Sequence, residues 1–70
     1  MTLLESALYA AMQERGYSDG FCVVALHLLG GNSPALREML LFMTDRKVSE
    51  KRATEELGRI CRDFSITPII

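Results

Sequence analysis

Phe21-Cys22-Val23-Val24-Ala25-Leu26-His27-Leu28-Leu29 is a run of nine positions with one polar side chain, His27, in a chain of 70 residues. A segment that is apolar on every side has to be enclosed on every side, because removal of such side chains from water is the main favourable term in folding. The run therefore predicts a central element wrapped by the rest of the chain. A chain this short has little material for the wrapping, so the same run points to a subunit partner. Val23 and Val24 favour a strand, and nine residues suit either type of element. A lone strand would find only the C-terminal tail to pair with, and strand-type alternation occurs nowhere else. Ser18-Asp19 before the run and Gly30-Gly31 after it are helix start and stop signals. The expectation is a helix over 19–29.

The same punctuation divides the remainder. Thr2 with Glu5 three residues later forms a capping box ahead of Leu3, Leu4, Ala7, Leu8, Ala11 and Met12, which recur at helical spacing until Gly16. Ser33-Pro34 restarts the chain, since proline is tolerated in a first turn. Leu36, Met39, Leu40 and Met43 then share a face that Leu41 and Phe42 widen. Ser49 caps a last helix in which Val48 can staple against Ala53 and Glu50 sits at the positive end of the dipole. Its apolar stripe is Ala53, Leu57, Ile60, Cys61 and Phe64, and the opposite face is charged. On that face Lys51 with Glu55, Arg52 with Glu56, Glu55 with Arg59, and Arg59 with Asp63 are opposite charges four apart, the pattern of a solvated helix surface. Gly58 interrupts the helix interior at a cost of about 1 kcal/mol against alanine. The predicted fold is all-α: one domain over 1–70, a compact bundle of four short helices at about 3–15, 19–29, 34–44 and 50–64, with an extended C-terminal tail that Pro68 keeps from being helical.

Composition narrows the function classes. Apolar residues make up 49% of the chain, which places it among folding domains rather than disordered segments. Three Phe, two Tyr and no Trp leave the core to Leu, Ile, Val, Met and Ala. A net charge of −1 gives no general attraction to a polyanion or an anionic membrane. The apolar run has no basic segment before it and is too short to cross a bilayer, so the expected address is the cytoplasm. Cys22 and Cys61, 39 positions apart and outside any Cys-x-x-Cys pattern, are expected to be two reduced, buried thiols.

No residue is nominated as catalytic, cofactor-binding or metal-ligating. His27 lies between Leu26 and Leu28, where nothing suggests an orienting partner or a polar cleft. One histidine and two distant cysteines do not supply the four ligands of a zinc site. The serines fit capping and turn roles. The loop Gly30-Gly31-Asn32-Ser33-Pro34 is followed by no Walker lysine and preceded by no strand, so it reads as a helix-to-helix turn. No small-molecule substrate is indicated.

What is left over is apolar surface. The preferred expectation is a non-catalytic interaction module that pairs with a copy of itself or with another protein. Leu26, Leu29, Met39, Phe42, Met43, Ile66 and Ile69 are the candidate contact residues, with methionine suited to irregular partner surfaces. The alternative is a nucleic-acid binder. Leu40 to Gly58, an apolar helix leading through Thr44-Asp45-Arg46-Lys47 to a capped helix ending Glu56-Leu57-Gly58, resembles the opening of bacterial helix-turn-helix DNA-binding domains. Six of the eight basic residues fall between Arg46 and Arg62. The resemblance covers about a quarter of the chain and implies phosphate or base contacts from Arg46, Lys47, Lys51, Arg52 and Arg59. The chain departs from the pattern after Gly58, where only Arg59 to Thr67 remain before Pro68 for a recognition helix. Between Arg46 and Asp63 the positive charges exceed the negative by only two.

Overall fold

The computed structural model describes residues 1–67. Ile69 and the end of the predicted tail lie outside that range. The described residues form four helices, α1 (Leu3–Glu14), α2 (Asp19–Leu29), α3 (Ser33–Asp45) and α4 (Glu50–Asp63), and no strand. The expected boundaries hold to within one residue.

Each start is made by the side chain that the sequence offers, with one exception. Thr2 Oγ1 accepts from the Glu5 N–H at 3.2 Å, while Glu5 Oε1 accepts from the Thr2 N–H at 2.7 Å, completing the capping box. Ser18 and Ser49 cap α2 and α4 by accepting from the N–H groups of Phe21 and Arg52, both at 3.3 Å. For α3 the cap is Asn32, whose Oδ1 accepts from the Ala35 N–H at 3.1 Å, and not Ser33. Asn32 reaches the first free N–H groups from one residue earlier, so Ser33 joins the helix and Pro34 moves to its second position. The C-terminal ends of α1 and α4 share one device. Gly16 (φ +76°) turns the chain so that its own N–H donates to Gln13 O and the Tyr17 N–H to Met12 O. Ser65 (φ +55°) does the same after α4, with its N–H donating to Arg62 O and that of Ile66 to Cys61 O.

One core serves all four helices: Leu8 and Met12 of α1, Cys22, Ala25 and Leu29 of α2, Ala35, Leu36, Met39 and Met43 of α3, Ala53, Leu57, Ile60 and Cys61 of α4, and Tyr17 from the first turn. α2 and α3 each pack on every other helix, α3 the more extensively, whereas α1 and α4 do not touch. The centre of the bundle is therefore shared by α2 and α3. The expectation that α2 is enclosed on all sides is overturned: Val23 is 63% and Val24 51% exposed, and His27 is exposed beside them. The reason is geometric. α2 buries the stripe Cys22-Ala25-Leu29 against its neighbours, and three other short helices cannot also cover its far side. The same limit applies at Leu3 and Leu41, 92% and 59% exposed, which the spacing had assigned to buried faces.

The order of packing is fixed by a polar clasp between the α1–α2 turn and the α3–α4 turn. The Tyr17 hydroxyl donates to Val48 O at 2.9 Å, and the Tyr17 ring meets Phe21 edge-on at 5.5 Å. Arg15 Nη2 donates to Met43 O, so a cation from α1 closes the negative end of α3, a helix with no basic residue in its own last turn. Glu50, the first residue of α4, accepts from the Ser18 hydroxyl at 3.0 Å and from the Ser18 N–H. One carboxylate thus lies at the positive ends of two helices.

Candidate functional site

The surplus apolar surface collects along one side of α2. Its outward residues are Asp19, Gly20, Val23, Val24 and His27, all exposed, with Leu28 half-buried at the edge. Between this ridge and α4 runs a mainly apolar groove of about 400 Å³, lined by Val24 and Leu28 from α2, by Thr54, Leu57, Gly58, Cys61 and Arg62 from α4, and by Ile66 beyond it. Gly58 was the unexplained residue of the sequence. No close helix crossing requires it: a Cβ built there meets only Arg62 Nη1, at 3.6 Å, an ordinary contact. Its missing side chain opens the groove instead. Gly30 is the opposite case, since a Cβ there would stand 2.7 Å from Leu26 O and 3.0 Å from Glu5 Oε2.

Of the candidate contact residues, Leu29, Met39 and Met43 are fully buried and belong to the core. Hydrophobicity nominated them, but their helical phase points them inward. Leu26, Phe42 and Ile66 are half-buried and pack against the core edge, and only Ile66 lines the groove. The valines were not among the candidates because the whole run was taken to be enclosed. The phase of Cys22, Ala25 and Leu29 would have marked them, since residues one position on from a buried Cys22 and one before a buried Ala25 face away from that stripe.

The thiols offer no reactive group. Cys22 and Cys61 are free, and burial pushes both above the ordinary cysteine range, so they stay protonated at neutral pH. Burial likewise pushes the Tyr17 phenol up.

A second cleft, about 370 Å³, opens between the end of α3 and the start of α4. Leu41 and Phe42 form its apolar part, while Arg46, Arg52, Glu38, Asp45 and Glu56 surround it with both signs of charge. Beside it Arg59 is the hub of a carboxylate network. Its guanidinium donates to Glu56 Oε1 at 3.1 Å, to Glu38 Oε2 at 3.2 Å and to Asp63 Oδ2. Glu56 and Glu38 hold the guanidinium charged, and hydrogen bonding to Arg59 lowers the Glu56 carboxyl below its usual range. Pairing differs from the expected spacing. Arg59–Asp63 forms, but Arg52 pairs with Glu55 at 3.2 Å and Glu56 with Arg59. Glu38 reaches Arg59 from α3, which no reading of α4 alone could show. Of the five candidate nucleic-acid contacts, Arg59 and Arg52 are thus engaged by carboxylates. Arg46, Lys47 and Lys51 are exposed and carry no ion pair among the described residues.

No described helix is long and apolar enough to cross a membrane, and no group of three His, Cys, Asp or Glu side chains that could hold a metal ion occurs among the described residues. No family model, curated protein or solved structure matches the chain.

Proposed function

We propose that this chain is a cytoplasmic, non-catalytic interaction domain whose contact face is the ridge of α2 together with the groove between α2 and α4. The observation that carries the reading is the contiguity of Val23 and Val24, each more than half exposed, with a groove floored by Gly58. Single apolar residues are common on protein surfaces, but two adjacent valines running into an apolar groove make a patch of the kind that marks association.

A photo-crosslinking aromatic residue placed at position 24, in living cells, tests the face. A covalent adduct that forms from position 24 and not from position 14, an exposed site on α1, is the expected result. Irradiation that yields no adduct from position 24 would remove the reading.

A further inference from the structure

We infer that the partner is a second copy of this chain, with the two α2 helices packed antiparallel across a two-fold axis at Val23, Val24 beside it, and Asp19 of each copy facing His27 of the other. The inference rests on the contact face proposed above and names its occupant.

The outward side of α2 consists of two rows with a spacing of four, Asp19-Val23-His27 and Gly20-Val24-Leu28. Side chains four apart line up as a ridge, and ridges of two helices interlock when one set lies in the groove beside the other. Each row has a valine at its midpoint and unlike ends. The first has a carboxylate at one end and an imidazole at the other. The second has no side chain at one end and a leucine at the other.

A two-fold axis at Val23 brings the unlike ends of the first row together. Asp19 then meets the partner's imidazole, beside the open space over Gly20. That space exists: a Cβ built on Gly20 has no neighbour within 4 Å. A parallel arrangement would instead set carboxylate on carboxylate and leucine on leucine. Two-fold pairing makes every contact twice, which is how one short helix face can suffice for association. Asp19 is available for it, because Gln13 Nε2 donates to Oδ1 alone, at 3.2 Å. A net charge of −1 per chain gives little repulsion between copies.

Size sets the strength. A standard stable interface takes about 800 Å² from each partner, whereas the whole chain exposes 4560 Å². The outward face of an 11-residue helix is smaller than that standard, so the dimer is weak and concentration-dependent, with Kd in the micromolar range or above.

Sedimentation equilibrium on the purified chain tests this over a concentration series reaching the millimolar range. The expected result is a mass that rises from 7.8 kDa toward twice that value. Val23→Asp and Val24→Asp, both at exposed positions, should keep the helical circular dichroism and abolish the rise. Asp19→Lys and His27→Asp should each weaken the dimer by about tenfold, the Asp19–imidazole contact being lost twice. The double variant D19K/H27D should restore it, since the signs are exchanged. If Asp19→Lys disturbs folding, Asp19→Ser tests the same contact without a charge reversal. A wild-type mass of one chain at every concentration overturns the inference, as does a double variant no tighter than the single ones. A monomeric chain that still crosslinks from position 24 to a different protein overturns self-pairing and leaves the interaction face standing. A monomeric chain with no adduct removes both.

Discussion

The outward faces of α2 and α4 flank the same groove and are built in opposite ways. α4 carries Arg52, Glu55, Glu56, Arg59 and Asp63 outward, and these side chains satisfy one another, with Glu38 of α3 completing the set. α2 carries two valines outward, and nothing among the described residues is set against them. The helix with the most apolar sequence thus leaves apolar surface exposed, while the most charged helix buries four apolar residues along a clean stripe. Burial follows the phase of a residue on its helix, and total hydrophobicity decides only how much is left over. On α4 the leftover is charge, which water accepts. On α2 it is hydrocarbon, which is where a partner gains most.

The sharpest way to break this contrast is to truncate the two faces of α2 separately. Leu29→Ala removes a fully buried side chain and should cost about 2 to 5 kcal/mol, much of the stability a domain of this size has. Val23→Ala should leave the unfolding free energy of the monomer within about 0.5 kcal/mol of wild type. Urea denaturation at low protein concentration reads both. Comparable losses would mean that the valine face is covered within the monomer, contrary to the exposure described.

The two glycines at the groove and at the α2–α3 turn sharpen the comparison with opposite signs. Gly58→Ala should stabilise the monomer by about 1 kcal/mol, since helix propensity improves and the new methyl meets only Arg62 Nη1. Gly30→Ala should destabilise it, because the methyl would be driven into the backbone oxygen of Leu26. The thermal midpoints should move in opposite directions, and movement in the same direction would refute this account of the groove.

The smallest effect belongs to the charged face. The Glu56 carboxyl is lowered by Arg59, so it binds its proton less readily when folded than when unfolded. Its contribution is complete above the ordinary carboxylate value of 4.5 and is lost as pH falls below it through the folded-state value. Between pH 6 and pH 3 the wild-type melting temperature should therefore fall further than that of Glu56→Gln. An equal fall in both would show that the Arg59 network adds nothing measurable to stability, as exposed ion pairs often do.

Much of the fold was legible because helix signals are local. A capping box at Thr2 and Glu5, a left-handed glycine at Gly16 and a stripe from Ala53 to Cys61 each need only a few neighbouring residues to be recognised. Two local details differed: Asn32 rather than Ser33 caps α3, two good caps standing side by side, and two α4 ion pairs close at a spacing of three rather than four. The clasp was not legible. Tyr17 with Val48, Ser18 with Glu50 and Arg15 with Met43 join positions about thirty residues apart, and no spacing rule connects them. The proposed contact face was half legible: the surplus of apolar residues could be counted, but Leu29, Met39 and Met43 were assigned to it and the valines were not.

The sequence alone determined four helices, their ends, and an excess of hydrocarbon over what three neighbours can cover, because each follows from composition or from interactions within one turn of backbone. Tertiary structure decided that α2 shares the centre with α3, that Arg59 is shared with α3, and that the excess emerges at Val23 and Val24. Those outcomes depend on which helix faces meet. That is settled by side chains far apart in the chain competing for one small interior.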